Sequence, residues 1–105
     1  MDKIINGRRY NTETARYVAT WDNGRYPNDF HYVEETLYCK ANGEYFLHGR
    51  GGPASGYAEP EGSNMWTSGQ KIRPMSRAEA TRWAEEAMTG AEYVAEFGEP
   101  DEDID

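Results

Sequence analysis

The chain has a single cysteine, Cys39, among 105 residues. One thiol excludes an internal disulfide and a cysteine-rich zinc site, and it predicts a reducing, cytosolic setting. No stretch approaches the ~20 consecutive apolar residues that carry a helix across a bilayer, so a soluble protein is expected. Residues 1–7 lack the apolar segment of a secretory leader. Leucine, isoleucine and valine are scarce, and mean hydropathy is −0.97. Eight Tyr, three Trp and three Phe supply much of the apolar mass instead. Rings bury a large area each, which permits a compact but thin core. Apolar surface left over would be available for dimerisation. The length suits one domain, residues 1–98, followed by an acidic, disordered tail at 99–105.

An excess of basic charge is also missing, since the formal net charge is −8. Its placement carries the information. Residues 1–75 hold nine acids and nine bases and are neutral. Residues 76–105 hold ten acids against only Arg77 and Arg82. Such a region repels nucleic acid and anionic lipid and attracts basic proteins. The plainer account is a solvated helix face with a solubilising tail.

What is present reads as strands first and helices after. Asn6-Gly7 predicts a type I′ turn joining a hairpin over residues 3–10. Residues 16–21 alternate Arg16, Val18, Thr20 against Tyr17, Ala19, Trp21, the period of a half-buried strand. Asp22-Asn23-Gly24 turns the chain, and residues 25–35 suit a loop around Pro27. The clearest strand signal runs from Thr36 to His48. With Asn42-Gly43 as a two-residue turn, Cys39 faces Phe46, Leu37 faces His48, and Tyr38 meets Leu47 on the opposite face. Residues 49–70, rich in Gly, Ser and Pro, are expected to form a long loop, and Lys71-Ile72-Arg73-Pro74 a short edge strand.

Two helices follow. Ser76 and Glu79 form one capping box and Thr89 and Glu92 another. Ala80, Trp83, Ala84, Ala87 and Met88 make the apolar face of the first helix, with Arg82 able to pair with Glu86 one turn away. Tyr93, Val94 and Phe97 make the buried edge of the second, which ends at Gly98 before Pro100. This order predicts an α+β fold: an antiparallel β-sheet of hairpins with one or two C-terminal helices packed on it, Trp83 at the centre of the contact.

Five constellations invite a chemical role. Cys39 and His48 fall on one face in the register above, as a thiol–imidazole pair needs. No third orienting group is evident, and a buried thiol beside a surface imidazole is the ordinary alternative. His31 and His48 lack metal-ligand spacing, and no metal or other cofactor is expected. Gly49-Arg50-Gly51-Gly52 resembles a phosphate loop without the helix that would hold the anion. Were it to bind one, Arg50 would make the contact. Arg8-Arg9 with Tyr10 is the only local basic stripe for nucleic acid, and the global charge opposes it. The last is the acidic helical region: Glu79, Glu85, Glu86, Glu92 and Glu96 on two capped helices form an anionic strip. Tyr26, Phe30 and Trp66 are candidate aromatic anchors for a protein partner.

Several segments carry a family resemblance. They are Ile4-Ile5-Asn6-Gly7 with Tyr10, Thr12-Glu13-Thr14-Ala15, Glu35-Thr36-Leu37-Tyr38, residues 43–49, Gly51-Gly52-Pro53, and Ser76-Arg77-Ala78-Glu79-Ala80 with Trp83-Ala84. In these the chain resembles small uncharacterised bacterial proteins of prophages and other mobile elements. The resemblance implies no activity and no catalytic residues. Arginine often stands there at the position of Cys39, which weakens a cysteine mechanism. A mobile-element origin implies a bacterial host cell and makes antagonism of host defence an expectation. Small acidic inhibitors such as anti-CRISPR proteins and other DNA mimics are analogous in size and charge. The sequence therefore predicts a non-enzymatic inhibitor that covers a basic, nucleic-acid-binding surface of a host protein complex, without touching nucleic acid or membrane itself. The alternatives are a homodimerising accessory domain and a Cys39/His48-dependent enzyme.

Overall fold

The computed structural model describes residues 1–100, so the tail expected at 99–105 lies from residue 101 onward outside the described residues. The chain begins with a hairpin, β1 (Asp2–Ile5) and β2 (Arg8–Asn11). Asn6 and Gly7 both take positive φ, 52° and 75°, as a type I′ turn demands. The main sheet is antiparallel in the order β3-β4-β5-β8. Its strands are β3 (Arg16–Asp22), β4 (Val33–Cys39), β5 (Tyr45–Gly51) and β8 (Gly69–Met75). A third element, the hairpin of β6 (Glu59–Glu61) and β7 (Met65–Thr67), interrupts the stretch expected to be a loop. α1 (Arg77–Ala87) and α2 (Gly90–Phe97) complete the α+β architecture.

The β4–β5 register differs by one residue from the sequence expectation. Leu37 pairs with Leu47, Tyr38 with Phe46 and Cys39 with Tyr45. The cause is the turn. The Gly43 amide donates to the Lys40 carbonyl, the Lys40 amide donates to the Glu44 carbonyl, and Gly43 alone takes positive φ, at 90°. That is a three-residue loop closed by a left-handed glycine, where a two-residue turn would need Asn42 in the left-handed region too. A one-residue slip exchanges the faces of one strand relative to the other.

The observed register separates two small cores, one on each face of the sheet. Leu37, Cys39, Tyr45, Leu47 and Met75 face the helices with Ala80, joined by Val18, Trp83 and Phe97. Phe46 and Ile72 face the other way, under Tyr10 of the first hairpin, with Ile5, Ala15 and Tyr38 around them. Tyr38 stacks on Phe46 at 5.3 Å, and Tyr10 meets the same ring edge-on at 5.4 Å. Aromatic pairs thus supply what the scarce aliphatic residues do not.

Both capping boxes form as the sequence predicts. The Ser76 and Thr89 hydroxyls accept from the Glu79 and Glu92 amides, and those carboxylates accept from the cap amides in return. Ala80 and Ala84, not Trp83, are the most buried residues of α1, being 0% and 1% exposed. Their small side chains let the helix sit low, and Trp83 lies half-buried at its flank. Tyr93, Val94 and Phe97 are likewise half-buried along α2, and Gly98 ends it at φ 88°.

Candidate functional site: a carboxylate-bearing helical layer

Many charges outside the helices pair with one another, although Lys3, Lys71 and Arg73 have no acid within 4.0 Å among the described residues. Arg9 pairs with Asp2, and Arg8 and Lys40 both with Glu44. Arg25 pairs with Asp29. Arg50 grips Glu34 through two hydrogen bonds of 2.9 and 3.2 Å. Arg50 holds Glu34 well below the ordinary carboxylate range, and the Tyr10 hydroxyl does the same for Glu44, aided by Lys40. Arg50, expected to be the contact of an anion loop, is thereby neutralised, and Gly49–Gly51 belong to β5. The basic stripe at Arg8-Arg9 is neutralised too, and Tyr10 beside it is buried.

The helical layer is different. Glu79, Glu85, Glu86 and Glu92 are exposed. Among the described residues none of them has a lysine or arginine nitrogen within 4.0 Å. Glu79 and Glu92 are tethered through the capping boxes, which fixes their carboxylates at the first turn of each helix. Hydrogen bonds from the Ser76 backbone and side chain lower the Glu79 pKa from its ordinary value. The expected pair between Arg82 and Glu86 does not form; an exposed pair of that spacing is worth only about 0.3–0.5 kcal/mol and competes with solvation.

Glu96 leaves the strip. Its carboxylate accepts from Arg16 at 2.7 and 2.8 Å and from the Tyr45 hydroxyl at 2.6 Å, and its side chain is 10% exposed. Arg16 depresses the Glu96 pKa, while burial and Glu96 together push the Tyr45 hydroxyl far above its usual range. The residue closes α2 onto β3 and β5 and is not available to a partner. One turn of helix carries it inward with Phe97, which touches Tyr45 at a ring distance of 5.4 Å.

The thiol–imidazole pair does not exist. In the true register Cys39 lies on the helix face with Leu37 and Leu47, whereas His48 pairs across the strands with Thr36 and Ile72 on the opposite face. The buried Cys39 thiol donates to the Lys40 carbonyl at 3.5 Å. His48 Nε2 lies 2.8 Å from Gln70 Oε1, and His31 Nδ1 lies 3.6 Å from Asp29 in a different loop. No three His, Cys, Asp or Glu among the described residues gather as a metal site.

Tyr26, Phe30 and Trp66 are 81%, 68% and 59% exposed, as an anchor role needs. Tyr26 and Phe30 sit in the loop between β3 and β4, and Trp66 on β7, whereas the carboxylates sit on the helices. One part-buried polar cluster escapes sequence reasoning, that of Glu35 with Tyr57 and Trp83. Glu35 accepts from Trp83 Nε1 at 3.1 Å and from the Tyr57 hydroxyl. The Tyr57 ring lies against Gly49, where a Cβ would fall 2.0 Å from a ring carbon. A glycine inside a strand is the signal that could have revealed that close approach.

Among the described residues no helix is long and apolar enough to cross a membrane. Comparison with protein families, with curated proteins and with solved structures finds no match to this chain.

Proposed function

We propose that the protein is a non-enzymatic acidic binding protein that covers a basic, nucleic-acid-binding surface of a host protein complex, as a mobile-element inhibitor of the anti-CRISPR type would. The observation that supports this most is the uneven pairing of charge. Five strand and turn cations, Arg8, Arg9, Arg16, Lys40 and Arg50, are taken up by Asp2, Glu34, Glu44 and Glu96, while Glu79, Glu85, Glu86 and Glu92 stay exposed without a cation within 4.0 Å. They ride on helices whose starts are held by reciprocal caps, so the carboxylates are displayed with little loss of entropy on binding. Tyr26 and Phe30 in the β3–β4 loop and Trp66 on β7 would add aromatic contacts.

Electrostatic complementarity of this kind raises association rates and makes binding salt-sensitive. Immobilised protein is expected to retain nucleic-acid-binding proteins from a bacterial lysate at low salt, to release them at high salt, and to lose them to added duplex DNA. Replacing Glu79, Glu85, Glu86 and Glu92 together by Gln should abolish retention; Gln preserves both capping boxes, so folding is kept. Retention that survives the fourfold substitution, or that DNA fails to compete, removes the proposal.

A further inference from the structure

A cleft of about 240 Å³ opens between the end of α1 and strand β3, lined by Trp21, Glu35, Trp83, Glu86 and Ala87. It is small beside the 300–1,000 Å³ that encloses a drug-sized ligand, and of a size for one side-chain head group. Its chemistry is uneven. Two of its walls are indoles, whose faces carry negative potential. The other two polar members are carboxylates.

Glu35 is the unusual one. It is half-buried, and both of its oxygens are engaged by neutral donors, Trp83 Nε1–H and the Tyr57 hydroxyl. No lysine or arginine nitrogen among the described residues lies within 4.0 Å of it. Arg73 and Arg82 line the adjoining groove with Trp83 and do not form an ion pair with it. The other half-buried acids contrast with it, because Glu34 and Glu44 each have a cation. Glu86 adds a second charge from the helix, and Trp21, 38% exposed, leaves the cleft open to solvent.

We propose that this cleft is a guanidinium site that takes an arginine side chain of the protein's partner. The planar cation would stack on an indole while its N–H groups reach Glu86 and the lone pairs of Glu35 that its neutral donors leave unfilled. A quaternary ammonium would gain the indole contact and the charge attraction but no hydrogen bond to either carboxylate. The inference rests on the reading of a basic partner and names the residue type that such a partner inserts.

The test uses the full chain and small cations, so it is independent of capture from lysate. The three tryptophans give three indole N–H resonances, and Trp66 lies outside the cleft as an internal control. N-acetyl-arginine methylamide is expected to shift the Trp21 and Trp83 resonances and leave Trp66 in place. Trp21→Leu, at a half-exposed position, and Glu35→Gln should each weaken that titration about tenfold, and Trp66→Leu should not. Choline should bind more weakly than the blocked arginine. Free arginine, whose own carboxylate would approach Glu86, should also bind more weakly. No shift at Trp21 and Trp83, or equal shifts in the Trp21→Leu and Glu35→Gln variants, overturns the site. Preference for choline overturns the guanidinium assignment, and preference for free arginine makes the ligand a metabolite and overturns the partner. Loss of the cleft titration with salt-sensitive capture intact would sink this inference alone.

Discussion

Gly49 and Tyr57 are coupled so tightly that neither can be changed freely. A methyl group at Gly49 meets the Tyr57 ring well inside contact distance, and the ring is pinned by its hydroxyl bond to Glu35. Gly49→Ala is therefore expected to destabilise the protein by about 1–3 kcal/mol through overpacking. Tyr57→Ala should relieve most of that penalty in the double variant, which a urea-melt double-mutant cycle would detect as strong non-additivity. The same paragraph of chain shows how a local pattern misleads. Gly49 to Gly52 look like a flexible loop by composition, yet Gly49 and Gly51 are buried members of a strand. Glycine is present there because Tyr57, Ser55 and the Tyr32 carbonyl come too close for any Cβ.

At the scale of elements, the helices were legible and the central hairpin only partly so. Each cap involves residues three positions apart, so Ser76 with Glu79 and Thr89 with Glu92 could be read without knowing the fold. Ser76→Ala and Thr89→Ala are each expected to lower stability by about 1 kcal/mol, measured by chemical denaturation, with the loss centred on the helical layer. Hydrogen exchange should report the opening of α1 in the first variant and of α2 in the second. For the β4–β5 hairpin, the strands were evident but the register was not. Asn42-Gly43 suits both a two-residue and a three-residue connection, and the choice between them decides on which face Cys39 falls. The sheet settled it by burying Leu37, Cys39, Tyr45 and Leu47 together under Ala80. β6 and β7 went unread because three-residue strands bearing Pro60 and bounded by Gly and Ser carry almost no periodic signal.

For the whole molecule, Arg16 and Glu96 stand 80 residues apart and join the sheet to α2. The Glu96 pKa is depressed below its ordinary 4.5, chiefly by hydrogen bonds from Arg16. A depressed carboxylate contributes stability that is present above the unfolded-state pKa and is lost as pH falls through the folded value. Urea midpoints should therefore fall as pH drops below about 4.5, with Glu34 and Glu44 acting in the same direction. Glu96→Gln should lower the midpoint at neutral pH and flatten the acid limb between neutral pH and pH 3. An acid limb as steep as that of the parent would show that the pair does not hold α2 in place. Because Glu96 is inward, its substitution should change partner capture only through stability, whereas Glu85→Gln and Glu86→Gln should change capture and leave the urea midpoint alone.

Determined by the sequence alone were the placing of strands before helices, the Asn6-Gly7 turn, both capped helices and the concentration of negative charge near the chain's end. All depend on neighbours within a few residues or on composition. The tertiary structure decided which of those acids remain free, the faces on which Cys39 and His48 fall, and the meeting of Trp21, Glu35 and Trp83 in one cleft. These depend on register and on contacts across 48 to 80 residues. Long-range pairing is selected by the packing of the whole sheet against its helices, a free energy that no local pattern carries.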